Sequence, residues 1–151
     1  MTRSGDSAAY RAAFSAERSS VAVASQWLQD VCRENGVPQE ALERLDICLN
    51  EVLANIVSHG GPNTRSHPLE LELVFRELTS ASAADLTISD MGFAFDPTLA
   101  LPRPLTVSLA DAQPGGLGII MLRNNADALS YQHANGLNRL TIFIRWPSIN
   151  E

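Results

Sequence analysis

Apolar residues at helical spacing define two long segments in the first part of the chain. The first covers residues 17–35, and Gly36 then favours a helix end. The second begins after Pro38, which the first turn of a helix tolerates, and ends near His59, before Gly60 and Gly61. Its apolar stripe consists of Leu45, Cys48, Leu49, Val52, Leu53 and Ile56. The pattern predicts two amphipathic helices that cover a core on one side.

Alternation of apolar and polar residues predicts the strands of one sheet. A short edge strand is expected at residues 10–14, and further strands at 69–75 and 85–89. A third helix at residues 116–126 precedes a hairpin of strands 129–133 and 137–146, which turns at Asn135-Gly136. The fold class expected from this order is α+β, a two-layer sandwich of helices on one mixed, mostly antiparallel sheet.

The chain of 151 residues is expected to form a single domain, with residues 1–8 disordered. Residues 97–114 contain four prolines and no long apolar run. Long loops inside a compact domain usually have a function, and this one directly precedes a glycine cluster. We therefore expect residues 97–114 to be a lid over a bound triphosphate.

Composition excludes several classes of function. The net charge is −6 and the arginines are scattered, which argues against direct binding of nucleic acid. The chain contains no lysine, which excludes a Walker-type phosphate loop, a Schiff-base lysine and the fold of the common protein kinases. Cys32 and Cys48 belong to no ligand motif and are expected to be small buried residues.

The length of the apolar runs bears on location. No run approaches the roughly 20 residues that span a bilayer, and the polar first residues lack a secretory apolar segment. The protein is therefore expected to be cytoplasmic and to have no membrane partner.

Glu51, Asn55 and His59 follow one another at intervals of four residues and therefore share one helix face, beside the apolar stripe. At the wall of a cleft, Asn55 can offer a carboxamide oxygen to Mg²⁺. Glu51 can then act as a general base on a hydroxyl near a terminal phosphate. The same spacing also fits a solvated helix flank whose last histidine is favoured by the helix dipole.

Two glycine-containing segments can complete a nucleotide site. Asp90 ends a strand next to Gly92, and its carboxylate can accept a hydrogen bond from an exocyclic amine such as that of adenine. Residues 115–118 open a helix, where backbone N–H groups can approach phosphate oxygens. The alternatives are an ordinary turn after a strand and a flexible glycine hinge.

Together these motifs resemble the histidine-kinase-like ATPase superfamily, and within it the RsbW- and SpoIIAB-like anti-sigma factor serine/threonine kinases. The resemblance covers residues 14–144. It lies in the run from Glu51 to Gly60, in residues 90–97, in residues 115–118 with Asp127, and in the turn from Asn135 to Leu140.

The resemblance implies roles for individual residues. Asn55 would bind Mg²⁺, Glu51 would be the catalytic base and Asp90 would contact adenine. The ATP-binding residues implied in all are Asn55, His59, Asp90, Gly92, Phe95, Gly115, Gly116, Leu117, Gly118 and Thr141.

The resemblance further implies a homodimer that phosphorylates a serine or threonine of an anti-anti-sigma protein of the STAS type and sequesters a sigma factor. Ala94 stands where many superfamily members have glycine, and Gln113-Pro114 where some have an arginine directed at the terminal phosphate. Arg103 or Arg123 can take that arginine's place. Two alternatives remain: a regulatory module that binds nucleotide without transferring phosphate, and the ATP-binding domain of a histidine kinase that acts in trans.

Overall fold

The computed structural model describes residues 8–98 and 116–148, and the side chains of residues 116–118 are outside that description. The elements, in chain order, are β1 (Ala9–Phe14), α1 (Ser20–Glu34), α2 (Gln39–His59), a single 3₁₀ turn (Pro62–Ser66), β2 (Leu69–Glu77), β3 (Ala81–Asp90), α3 (Gly116–Asn125), β4 (Ala128–Ala134) and β5 (Leu137–Pro147).

The five strands form one sheet in the order β1-β2-β3-β5-β4, and β1 is an edge strand as predicted. Each described pair of neighbouring strands is antiparallel. With the helices on one face, this confirms the predicted two-layer α+β sandwich on a mostly antiparallel sheet. No parallel pair occurs among the described strands.

The hydrophobic core lies between the helices and one face of the sheet. Its fully buried side chains include Leu28, Leu45, Leu49, Leu53, Leu69, Leu71, Leu73, Leu86, Ile88, Ile142 and Ile144. The opposite face carries polar pairs, among them Arg11 with Glu72 and Arg76 with Asp85. Because successive strand residues point to opposite faces, odd positions of β2 and even positions of β3 and β5 face the helices.

The β4–β5 hairpin turns at Asn135 and Gly136, whose φ angles are 54° and 78°. Two positive φ values define the tight hairpin turn that the Asn-Gly dipeptide favours. The turn fixes the register and places His133 opposite Asn138 and Tyr131 opposite Leu140.

Helix α3 is held against α2 through Arg44. Its Nε donates to the carbonyl oxygen of Asn125 at 3.0 Å, and its Nη2 lies 3.2 Å from a carboxylate oxygen of Asp127. Arg44 therefore satisfies a carbonyl at the end of α3, where a cation is electrostatically favoured. This contact joins the C-terminal end of α3 to the first half of α2.

Both cysteines are buried, as predicted, and burial raises the pKa of each thiol to about 12. A thiol with so high a pKa does not form the reactive thiolate at neutral pH. In the described ranges, no helix combines the length and the apolar content that a membrane span requires.

Candidate functional site

A cavity of about 560 Å³ opens between α2, α3 and the segment that follows β3. Such a volume suits a small-molecule ligand. The described residues that line it are Glu51, Val52, Ala54, Asn55, Ile56, Ser58, His59, Gly60, Ile88, Asp90, Phe93, Ala94, Phe95, Pro97, Ile119, Leu122, Tyr131, Asn138 and Leu140.

One wall of the cavity is the last three turns of α2. Glu51, Asn55 and His59 all line it, as their spacing of four residues requires. Glu51 and Asn55 are partly buried and His59 is exposed, whereas the neighbouring Val52 and Ile56 belong to the core. The three polar side chains therefore lie at the border between the core and solvent, with their functional groups available to a ligand.

Asp90, the last residue of β3, is the most buried acidic group of the cavity and only 8% exposed. Its Oδ1 accepts hydrogen bonds from the Gly92 N–H at 2.8 Å and from Asn138 Nδ2 at 3.1 Å. Its Oδ2 has no hydrogen-bond partner among the described residues. Burial raises the pKa of Asp90, while the bonds from Asn138 and Gly92 and the nearby His133 act in the opposite direction.

Asn138 stands at the centre of a hydrogen-bond network around Asp90. Its Nδ2 lies 3.0 Å from the Gly92 carbonyl oxygen and 3.1 Å from that of Phe93. Its Oδ1 accepts from the Tyr131 hydroxyl and, at 2.8 Å, from His133 Nδ1. Every neighbour of the amide nitrogen is thus an acceptor, and both neighbours of the amide oxygen can donate, His133 through the tautomer protonated at Nδ1.

No motif in the sequence marks Tyr131 as a site residue, and Asn138 belongs only to a turn motif. The signal that could have found them is the register of the Asn-Gly hairpin, which sets His133 opposite Asn138. Strand alternation then directs Tyr131, His133 and Asn138 to the helix side of the sheet.

Gly92 does not line the cavity, although it lies next to Asp90. A Cβ at this position would come within 2.8 Å of the Gly60 carbonyl oxygen and within 2.9 Å of Thr64 Oγ1. The Phe93 N–H donates to the same Gly60 oxygen at 2.8 Å. The absence of a side chain at residue 92 therefore lets the end of β3 approach the end of α2.

Aromatic residues line the cavity after β3. Phe93 is 64% exposed and Phe95 is 46% exposed. The Phe95 N–H donates to the Tyr131 hydroxyl oxygen at 3.1 Å. The segment continues into a turn in which Asp96 Oδ1 accepts from the N–H of Thr98 at 2.8 Å.

The glycine cluster is only partly described. Gly116, Leu117 and Gly118 form the first residues of α3, and Ile119 and Leu122 of the same helix line the cavity. Gly115 and residues 99–114, which include most of the predicted lid, Arg103 and Gln113-Pro114, lie outside the described residues. Arg123, considered for contact with a terminal phosphate, donates instead to the Thr98 carbonyl oxygen at 3.2 Å.

Thr141 is not brought to the cavity, contrary to the expectation that it binds nucleotide. Its hydroxyl lies 2.9 Å from that of Thr87 on the open face of the sheet. Asn138 and Leu140 line the cavity from the same strand. Since alternate residues of a strand point to opposite faces, a residue at position 141 faces away from the helices.

The polar side chains of the cavity fit a Mg²⁺ ion that takes few protein ligands. The described residues contain no group of three or more His, Cys, Asp or Glu side chains arranged for a metal. Mg²⁺ commonly takes one or two protein oxygens and completes its shell with phosphate oxygens and water. The carboxamide of Asn55, with Glu51 one turn away, offers such oxygens.

Comparison with known proteins agrees with this geometry. Residues 14–144 match the family described as histidine kinase-like ATPase domain. The chain is 40% identical over 116 residues to the serine/threonine-protein kinase BtrW of Bordetella bronchiseptica, which is 77% of this chain and 79% of that kinase.

A solved structure also resembles this fold. The structure of the RsbU and RsbW domains of Rv1364c from Mycobacterium tuberculosis matches with a TM-score of 0.61 at 12% identity, over 93% of this chain. The match spans 34% of that longer chain and bears on the fold alone. The chain therefore belongs to the family of histidine kinase-like ATPase domains, and the serine/threonine-protein kinase BtrW is one of its relatives.

Proposed function

We propose that the cavity binds ATP together with Mg²⁺ and that the protein transfers the terminal phosphoryl group to a serine or threonine of a partner protein. The observation that carries this proposal is that a single cavity is lined by the carboxylate of Asp90, with one oxygen available, and by Glu51 and Asn55 on one face of α2.

Asp90 is the residue proposed to recognise adenine. Its Oδ1 is already occupied by two donors, which leaves Oδ2 to accept a hydrogen bond from the exocyclic amine of the base. Guanine carries a carbonyl oxygen at the corresponding position, which a carboxylate disfavours. Asp90 is thus proposed to give ATP its advantage over GTP.

The phosphates are proposed to lie near the start of α3. The chain has no lysine to neutralise them, so backbone N–H groups at Gly116 to Gly118 and the positive end of the helix dipole are the main candidates. Asn55 would hold Mg²⁺, which neutralises phosphate charge and orients the terminal group. Glu51 and Asn55 are one turn apart, so both can act at the terminal phosphate.

Glu51 is the proposed general base. It would accept the proton of the serine or threonine hydroxyl as that oxygen forms its bond to the terminal phosphorus. The bond between this phosphorus and the bridging oxygen breaks, and ADP leaves with the electron pair. Partial burial of Glu51 favours this role, because fewer water molecules then compete with the substrate hydroxyl for its carboxylate.

The partners are proposed from the family. The substrate would be a STAS-type anti-anti-sigma protein, and a sigma factor would be the protein that is sequestered. We further propose a cytoplasmic homodimer that acts in the regulation of transcription. The relative BtrW, named as a serine/threonine-protein kinase, supports the choice of the phosphorylated residue type.

A second candidate function is a regulatory module that binds nucleotide without transferring phosphate. Its specific support is that Arg123 is engaged with the Thr98 backbone, while Gln113-Pro114 occupy the position at which some family members have an arginine. Such a module would still bind ATP and its protein partner.

Glu51→Gln separates the two functions, because it keeps the size of the side chain and removes its capacity to accept a proton. Phosphoryl transfer should fall by about 10²- to 10⁴-fold while ATP affinity stays near the parental value. Glu43→Gln is the matched control, since Glu43 is exposed on the same helix, pairs with Gln39 and does not line the cavity.

Transfer at the parental rate by Glu51→Gln would exclude Glu51 as the base. No transfer by the unmodified protein to any anti-anti-sigma substrate, with ATP bound, would favour the regulatory module.

A further inference from the structure

Tyr131 joins two parts of the cavity through its hydroxyl group. The oxygen accepts the Phe95 N–H from the segment after β3, and the hydroxyl proton goes to Asn138 Oδ1. Asn138 in turn donates from Nδ2 to Asp90. All donors in this series point the same way, from the backbone of Phe95 towards the carboxylate of Asp90.

The direction of the Asn138 amide matters for the chemistry of Asp90. With Nδ2 towards Asp90, the neighbouring carboxylate oxygen receives a donor, so Asp90 is stabilised as an acceptor. The reversed amide would place its oxygen against oxygens of Asp90, Gly92 and Phe93, and would favour a protonated Asp90. Tyr131 and His133, which both bond Asn138 Oδ1, help to hold the amide with Nδ2 towards Asp90.

We propose that Tyr131 is a positioning residue that sets nucleobase preference, because its hydroxyl orients the Asn138 amide and so keeps Asp90 a hydrogen-bond acceptor. The inference rests on the proposed binding of ATP in this cavity. It deepens that proposal by assigning the ATP-over-GTP preference to a network that begins at β4, in addition to Asp90 itself.

Tyr131→Phe isolates the hydroxyl. The aromatic ring packs against the core and is retained in the variant, whereas the donor to Asn138 and the acceptor for the Phe95 N–H are lost. The variant keeps His133 on β4, which faces Asp90, and Glu51 and His59 on α2, which line the same cavity, as well as Asp96 after β3. Burial raises the pKa of Tyr131 above its ordinary value of 10.0, so the lost hydroxyl carries no charge at acid to neutral pH. A change in the titration of Asp90 would therefore report on hydrogen bonding.

The expected effect follows from the value of one hydrogen bond. A loosened Asn138 donates less effectively to Asp90, so the pKa of Asp90 should rise further and the protonated form should tolerate the guanine carbonyl. The ATP-over-GTP preference should fall by about 3- to 10-fold, as expected for the loss of about one net hydrogen bond. The decrease in ATP affinity at acid pH, the acid limb of the pH profile, should therefore begin at a higher pH.

Calorimetric titration of ATP·Mg²⁺ and GTP·Mg²⁺ across acid to neutral pH tests the inference. Tyr10→Phe is the matched control, since the Tyr10 hydroxyl bonds Asn35 at 3.0 Å and Tyr10 does not line the cavity. His133→Ala is a second variant at an exposed residue, which removes both the other hydrogen bond to Asn138 Oδ1 and the imidazole charge that lowers the pKa of Asp90. We expect a lower preference and a shifted acid limb in Tyr131→Phe and His133→Ala, and neither change in Tyr10→Phe.

Parental preference and an unshifted pH profile in Tyr131→Phe would overturn the inference, even if its melting temperature fell and even if His133→Ala changed both quantities. Failure of the unmodified protein to bind either nucleotide would overturn the proposed function together with this inference. ATP binding by the unmodified protein with unaltered variants would overturn only the role of Tyr131.

Discussion

Asn138 donates a hydrogen bond to Asp90 at 3.1 Å, although the two residues are 48 positions apart in the chain. They face each other where β3 ends and β5 begins. The bond, together with that from the Gly92 N–H, occupies one oxygen of the carboxylate. The consequence is an aspartate held as an acceptor with its second oxygen free of partners among the described residues.

Asp90→Asn should therefore change base selection. The variant replaces an acceptor by an amide that can present a donor, so the adenine amine loses its charge-assisted bond. ATP affinity should fall by about 10- to 100-fold, while GTP affinity should fall less. Competition binding of the two nucleotides measures this, with Asp30→Asn, at an exposed position of α1, as the control. An unchanged ATP-over-GTP preference would remove Asp90 from the base site.

ATP affinity should also depend on pH through Asp90. Burial raises its pKa above the ordinary 3.8, and the bound adenine requires the deprotonated form. As pH falls through the raised pKa, the carboxyl group becomes protonated and ATP affinity should decrease, approaching tenfold per pH unit below it. Well above the raised pKa the Asp90 carboxylate is fully ionised, and its contribution to ATP affinity no longer changes with pH.

The comparison with Asp90→Asn separates this effect from titration of the nucleotide itself. The variant should lack the additional acid limb, because residue 90 no longer ionises. Superimposable pH profiles for the two proteins would show that Asp90 does not titrate in contact with the base.

Thr141→Val should leave ATP affinity unchanged, because Thr141 faces the open side of the sheet. Its partner Thr87 is almost fully buried and would lose its hydroxyl contact. The free energy of unfolding should decrease by about 0.5 to 1.5 kcal/mol. Urea unfolding and ATP titration of the same preparation measure both quantities. A clear loss of ATP affinity at unchanged stability would return Thr141 to the nucleotide site.

Local patterns account for the parts of the fold that the sequence predicts well. The stripe of α2 at Leu45, Leu49 and Ile56 repeats with the period of a helix and is buried as expected. The Asn-Gly hairpin follows from the conformational preference of two residues. The start of β3 could not be read in this way, since Ala81 to Ala84 shows no apolar alternation and is a strand only because it pairs with β2 and β5.

The site residues also fall into two groups, those that local spacing predicts and those that only strand pairing brings together. Glu51, Asn55 and His59 come to one wall because their spacing alone determines a common face. The family resemblance implies that Thr141 binds nucleotide, although Thr141 and Asn138 are three residues apart on β5 and therefore point to opposite faces of the sheet. The Asn-Gly hairpin sets Tyr131 and Asn138 on paired strands, but their link to Asp90 depends on the pairing of β5 with β3, which no local pattern contains.

ATP titration of Asn55→Ala with and without Mg²⁺ tests most directly whether the cavity binds ATP with Mg²⁺ through α2. Asn50→Ala is the control, because Asn50 lies on the same helix, bonds the Asp46 carbonyl oxygen and does not line the cavity. We expect Mg²⁺ to strengthen ATP binding in the unmodified protein and in Asn50→Ala. In Asn55→Ala, the increase in ATP affinity on addition of Mg²⁺ should be smaller by about tenfold or more. Equal ATP affinity in all three proteins, with and without Mg²⁺, would contradict the account.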